Sequence, residues 1–428
     1  QLCATCKLPF TGALKLALAQ EWCRRTEPLA RTDVQRFAAR TTLSNALSAA
    51  GRLAEAETVV RGNLEAATAL HGAEHRHTLG TTLNLGLLLD GQGKHKEAAR
   101  VYAELLRAQE RVLGPEHRDT LNTAMQLAGA SLNQGRNAEA ESQYRQVLAT
   151  QQRVLGETDP ATLTCSMNLA SALLNMGRFF EAEGMYRANL AAKLRKLGPE
   201  HVDTLMAGMN LGTALKEVGR YDEAEKVLRA NHRTKESVLG ATHADTCFAM
   251  LNLVAVWVDG EPGGRHEEAE GMARAAVAAL RASLGEEHPS VLSAQVHVGM
   301  VLAASGRAEE AVELLRKVHA AQLTAHHGEE SHPDALETAW RLGCALLAAP
   351  NAASAVSAPP PPEETEALAR LRATARLLAE QHGAEHPRTL RCLVSVAAAL
   401  LAAGGAARAA EAAALARKCV ALQRRLLD

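Results

Sequence analysis

The sequence predicts an all-α protein built as a solenoid of about nine antiparallel helix pairs. Three observations carry this. Aromatic residues make up only 3% of a chain that is 47% hydrophobic and rich in alanine, leucine, glutamate and arginine, a mix that favours helix over strand. A Leu-Gly step followed by a His recurs along the chain, with Gly72, Gly114, Gly156, Gly198 and Gly240 each 42 residues apart. A second turn mark falls between those glycines, so each repeat has room for two helices whose apolar faces are buried by stacking on the next repeat.

The N-terminal stretch, residues 1–31, does not fit the repeat. Residues 13–25, "ALKLALAQEWCRR", read as an amphipathic helix that caps the first exposed face of the array. Ahead of it, Cys3 and Cys6 in "CATC" are spaced as half of a zinc site, since two thiolates three apart can bind one tetrahedral ion. Zinc is the one cofactor this spacing suggests.

Residues 32–349 carry the repeats. The second mark reads "GRLAEA" at 51, "GKHKEA" at 93, "GRNAEA" at 135, "GRFFEA" at 177, "GRYDEA" at 219, "GRHEEA" at 264 and "GRAEEA" at 306. Between the marks the apolar residues keep helical spacing, as in Leu79, Leu83 and Leu87, then Ala98, Tyr102 and Leu105. Each Leu-Gly ends a helix, with Gly supplying a positive-φ residue, and Pro160, Pro289, Pro333 and Pro387 stand where a first helical residue would. His75, His117, His201, His243, His288, His332 and His386, with Asp159 in the remaining copy, are then N-caps. Metal binding by these histidines is disfavoured: they come once per repeat, and packed helices lie about 10 Å apart, whereas metal–ligand bonds are roughly 2 Å.

The turn before Glu366 is replaced by "APNAASAVSAPPPPEE", whose four consecutive prolines exclude helix and make residues 350–362 a loop insertion. Residues 363–428 return to register. A Glu with a basic residue six positions on recurs from Glu55 and Arg61 through Glu181 and Arg187 to Glu366 and Arg372 and Glu411 and Arg417, which marks eighth and ninth helix pairs.

The segment "TLNLGLLLDGQGKHKEAARVYAELLRAQERVLGPEHRDTL" (82–121) and its copies at 124–163, 166–205 and 208–247 resemble the tetratricopeptide repeat family, in the 42-residue variety of kinesin light chains. The resemblance implies a right-handed superhelix whose concave face, lined by the first helix of every pair, binds an extended peptide or partner protein. It also implies which residues face that groove: Asn84, Gln126, Asn168, Asn210, Asn252, His297 and Arg341, with Ser395 at the same place in the last pair. Side-chain amides offer donors and an acceptor to a peptide backbone without reading its sequence. The arginines of the Glu–Arg series fall on second helices, where ion pairs with adjacent repeats account for them.

Charge and motifs narrow the rest. With 47 basic and 48 acidic residues there is no overall field to draw the chain onto nucleic acid. The longest apolar run, "LVSVAAALLAA" from Leu393, is shorter than the roughly 18 residues of a membrane span, so no direct membrane insertion is expected. Eight cysteines without a paired framework point to a reducing, intracellular and cytoplasmic setting, an organelle after removal of a targeting segment being the alternative. No phosphate loop, nucleophile elbow or His-Glu-x-x-His occurs, so no enzyme is expected. The expected function is a protein-interaction scaffold or adaptor within a larger assembly. The alternatives are a regulatory or sensor segment of a larger multidomain enzyme or NTPase, and an interaction module centred on a zinc finger.

Overall fold

The computed structural model describes residues 12–30, 33–260, 265–325, 328–349 and 365–427, and all regular structure among them is helical. The loop expected at 350–362 and the cysteines Cys3 and Cys6 lie outside the described residues. The chain forms two compact units, Gln1–Ala172 and Leu173–Asp428.

The first unit begins with a single helix, α1 (Gly12–Thr26), followed by the pairs α2 (Val34–Ala49) with α3 (Leu53–His71), α4 (Arg76–Gly91) with α5 (His95–Val112), and α6 (Arg118–Asn133) with α7 (Asn137–Leu155). Helix α8 (Pro160–Asn175) starts the next pair. The second unit holds α9 (Phe179–Leu197), then α10 (Val202–Val218) with α11 (Tyr221–Leu239), α12 (Ala244–Gly260) with α13 (His266–Leu284), and α14 (Pro289–Ala304) with α15 (Ala308–Ala325). It ends with α16 (Pro333–Ala348) paired to α17 (Glu366–His382) and α18 (Pro387–Ala402) paired to α19 (Ala406–Leu427). Consecutive helices pack on one another from α1 to α7 in the first unit and from α9 to α19 in the second. Among the described residues eighteen helices follow α1 in the alternation of first and second helices that the sequence predicted.

The turn chemistry read from the sequence is the turn chemistry observed. His117 Nδ1 accepts the backbone N–H of Asp119 at 3.1 Å, His201 that of Asp203 at 3.2 Å and His288 that of Ser290 at 3.1 Å. In the copy without His, Asp159 Oδ1 does the same for Ala161 at 2.8 Å. Each bond satisfies an amide that the first helical turn leaves without a partner. Gly198, at φ 83° and ψ 171°, closes α9 in a conformation open essentially to glycine alone. The second helices α3, α5, α7, α9, α11 and α13 start differently: the residue before them is Arg or Lys and makes no side-chain cap, and Arg52 instead grips Glu55 at 2.6 Å across the first turn, whereas Thr365 caps α17 by accepting the Leu368 N–H.

Packing within a pair is a large residue set against a small one. An added Cβ on Gly299 would lie 2.7 Å from Leu315 Cδ2, one on Gly343 would lie 2.7 Å from Leu371 Cδ2, and one on Gly86 would collide with the Tyr102 ring. Tyr102, Leu315 and Leu371 are fully buried. Between pairs, second helices are tied by the arginine series: Arg61 reaches Glu97 at 2.6 Å, Arg187 reaches Glu223 at 3.1 Å and Arg316 reaches Glu366 at 2.6 Å. Arg372 to Glu411 at 2.8 Å extends the series to the last pair. These four arginines thus pair with the acid of the next repeat, the ion-pair role the sequence predicted, while Arg229 and Arg274 pair with Glu225 and Glu270 of their own helices.

Candidate functional site

Next-neighbour contacts show which helices form the inner layer. In the second unit α10, α12, α14, α16 and α18 touch in succession, and in the first unit α4 touches α6. First helices are therefore crowded together on one side, as expected for the inside of a curved stack.

Which face of a first helix looks away from its partner is set by the small residue. Gly212 turns toward Leu228 of α11, and Asn210 stands two residues earlier, about 200° round the helix. The same offset separates Asn84 from Gly86, Gln126 from the buried Ala128, Asn168 from the buried Ala170, and Asn252 from the buried Val254. His297, Arg341 and Ser395 hold the same offset from Gly299, Gly343 and Ala397.

All these side chains are half-buried. Among the described residues the amides of Asn84, Asn168, Asn210 and Asn252 make no hydrogen bond, and Gln126 reaches only Asn122 Oδ1, at 3.5 Å. Asn84, Gln126 and Asn168 lie in the first unit, and Asn210, Asn252, His297 and Arg341 lie in the second, on first helices that touch in succession. His297 is tied to its own helix by Nδ1 to the Ser293 carbonyl at 3.0 Å, and burial pushes its pKa below the ordinary value. Arg341 is engaged by Glu337 Oε1 at 2.9 Å and lies over the Trp340 ring at 4.4 Å.

Sequence reasoning missed a second row of polar residues, on the second helices. Asn231 donates to the Leu205 carbonyl at 2.5 Å, and Asn63 donates to Thr41 Oγ1 at 3.3 Å. Gln109, Gln151, Lys193 and Lys235, spaced by 42, are all buried. Burial lowers the pKa of Lys235, whose ammonium meets Met209 Sδ at 2.8 Å and the Asp245 carbonyl at 3.4 Å. The 42-residue spacing of polar residues among apolar ones was the available signal. Asn63, Asn231 and Lys235 bridge helices within the stack, which the first-helix amides do not, whereas the amide oxygens of Gln109 and Gln151 are buried without a hydrogen-bond partner.

The second unit also encloses a cavity of about 460 Å³ on this inner side. Its charged residues come from α10, α12, α16 and α18 and include Arg341. Its aromatic residues include the Phe179–Phe180 pair that opens α9. The remaining ladder positions do not line it.

No helix among the described residues is long and apolar enough to cross a membrane, and none of their His, Cys, Asp or Glu side chains cluster in a way that could hold a metal ion.

Comparison with known proteins agrees with this architecture. The tetratricopeptide repeat family model matches residues 35–111, 81–153, 119–188, 162–230 and 263–324. Among solved structures, a Rap protein complexed with Competence and Sporulation Factor is 14% identical, with 92% of this chain and 99% of that one covered at a TM-score of 0.59. The apo form of the quorum sensor NprR from B. thuringiensis is 12% identical, covering 85% of this chain and 97% of that one at a TM-score of 0.55. The kinesin light chain nearly identical TPR-like repeats of Podosopora anserina are 26% identical, over 48% of this chain and 96% of that one, at a TM-score of 0.42. No curated protein matches the chain. With the family model covering more than half of the residues, and each matched stretch falling on stacked helix pairs, the chain belongs to the tetratricopeptide repeat family.

Proposed function

We propose that this protein is a non-catalytic interaction scaffold that holds an extended peptide segment of a partner protein along its first helices. The observation that carries the reading is the row of half-buried amides with no hydrogen-bond partner in the chain, Asn84 and Asn168 in one unit, Asn210 and Asn252 in the other. An amide left without a partner in a half-buried position loses water contacts without recovering them. A peptide backbone, with a donor and an acceptor at every residue, supplies the missing bonds in repeating order. The Rap fold neighbour, solved in complex with Competence and Sporulation Factor, supports the use of such a stack for ligand capture.

The test is capture of a partner by the wild-type chain, its identification by mass spectrometry, and titration of that partner against Asn210→Ala/Asn252→Ala. At about 0.5 to 1.5 kcal/mol per hydrogen bond, the double variant loses roughly 5- to 150-fold in affinity. Its melting temperature stays level or rises slightly, because alanine is the better helix former and no hydrogen bond within the chain is broken. Unchanged affinity in a folded double variant removes the amides from the site.

A further inference from the structure

We propose that the inner cavity of the second unit is a binding site for a carboxylate carried on an apolar or aromatic body. The proposal rests on the reading that first helices present a binding surface, and names the ligand chemistry at one place on it.

Charge comes first. Lys216, Arg341 and Arg391 line the cavity against two carboxylates, Glu217 and Asp259, so the lining carries an excess of one positive charge. The pairing between them is loose. Arg391 lies 3.4 Å from Glu217, Arg341 lies 3.7 Å from Asp259, and Lys216 reaches Asp259 at 3.2 Å and Glu217 at 3.3 Å. On the second-helix ladder, Arg61 and Glu97 approach to 2.6 Å. The Arg391 guanidinium is the least satisfied of the three: its Nε is buried without a hydrogen-bond partner, and its other contact is the Trp340 ring at 5.6 Å. Two cations share Asp259, while Glu337 is taken up by Arg341 at 2.9 Å. An added carboxylate gives Arg391 and Lys216 the short, charge-assisted bonds they lack. An added ammonium would meet three cations, and both carboxylates already engaged.

The walls supply the second half of the ligand. Phe179 and Phe180 occupy turn positions where the other copies have Leu-Ala, His-Lys, Asn-Ala, Tyr-Asp, His-Glu and Ala-Glu, so this copy alone of the seven has two aromatic rings there, and Tyr221 of the following turn joins them in the lining. Phe180 is 53% exposed, so its ring is open to an incoming group. Trp340 is held in place by its indole N–H, which donates to Ser395 Oγ at 3.0 Å. A volume of about 460 Å³ falls in the range of small-ligand pockets and holds one aromatic side chain with its carboxylate.

Two sources carry this chemistry: a free aromatic acid, or the last residue of a peptide with a free C-terminus. Calorimetric titration of the full chain distinguishes them, with N-acetyl-L-phenylalanine, its amide, phenethylamine, and a pentapeptide ending in phenylalanine with a free or amidated C-terminus as probes. The expected result is binding of the acid at least tenfold tighter than its amide or the amine. A free-ended peptide tighter than the N-acetyl amino acid identifies a C-terminus as the source, and a weaker one identifies a free acid. Arg391→Gln and Lys216→Gln each weaken the acid at least fivefold. Phe180→Ala, which alters an exposed ring and leaves the charge contacts in place, weakens acid and amide alike. Equal binding of acid and amide, preference for the amine, no binding of any probe, or wild-type affinity in a folded Arg391→Gln overturns the assignment. Acid affinity is untouched by Asn210→Ala/Asn252→Ala if both readings hold, so failure of the amide ladder and failure of this cavity are separate results.

Discussion

Replacing Gly299 by alanine tests the contact that aims the ladder inward. The new Cβ would lie 2.7 Å from both Cδ2 and Cγ of Leu315, a side chain with no exposure and so no free direction to move. Carbon atoms rest about 3.5 to 4.0 Å apart, so the two helices must separate by about 1 Å or Leu315 must leave its rotamer. Overpacking of this kind costs about 1 to 3 kcal/mol. The substitution also removes a mid-helix glycine, which returns about 1 kcal/mol. The net expectation is a loss of about 0 to 2 kcal/mol. Gly271, inside α13 and with nothing within 4 Å of an added Cβ, is the control: Gly271→Ala collects the helix gain alone and stabilises by up to about 1 kcal/mol. Native-state hydrogen exchange of α13 to α15 reads both locally. Gly299→Ala should fall below Gly271→Ala by about 1 to 3 kcal/mol, and the deficit should shrink when Leu315→Ala is added, as coupled neighbours require. Equal stabilisation by both glycine replacements would refute the claim that Gly299 and Leu315 set the helix rotation.

The remaining predictions concern groups whose roles the sequence left unassigned or only half assigned. Asn231→Ala breaks the bond to the Leu205 carbonyl and should lower stability by about 1 to 3 kcal/mol in thermal melts, whereas Asn210→Ala, one helix away, should not. His386 caps α18 through Nδ1 at 3.2 Å and its ring also hydrogen-bonds the Asn175 backbone; burial, with His382 nearby, lowers its pKa from 6.5 to about 4. Its neutral form is the folded one, so its contribution is complete above pH 6.5 and is lost as pH falls from there toward 4. Discounted for partial exposure, that is about 1 to 2 kcal/mol. The melting difference between pH 7 and pH 5 should therefore narrow in His386→Asn, which keeps a cap without the titration, and an unchanged difference would show that His386 is not the group responsible.

How much could be read in the chain depended on whether a residue's role recurs. The turn glycines and His caps recur with the repeat, so their spacing alone gave both the helix count and the reason for each histidine. The arginine series was legible for the same reason, although its true partner is the acid one repeat further on, as with Arg61 and Glu97. The Asn231 bridge and the Lys193 and Lys235 burials were harder, because a polar residue on a second helix reads as solvated until the neighbouring first helix is placed against it. The cavity was illegible. Lys216 and Arg391 stand 175 residues apart and meet through the stacking of first helices, a relation that no local pattern encodes.

The distribution of ion pairs separates two jobs that the repeat gives to charge. On second helices the pairs are made by repeat-periodic residues, and deleting one repeat in register would restore an equivalent pair, Arg187 with Glu223 standing where Arg61 stands with Glu97. On the inner side of the second unit Asp259 and Glu217, 42 residues apart and so at one position of the repeat, draw on cations from three different first helices, Lys216, Arg341 and Arg391. Periodic charge holds the stack together whatever its length. Charge gathered half-buried around a cavity and loosely paired adds nothing that a longer or shorter stack would need, and burying it costs desolvation that the observed distances do not recover. Such an arrangement is expected where the missing interaction is supplied by something outside the chain, and that places the second unit's individuality in its inner wall rather than in its repeats.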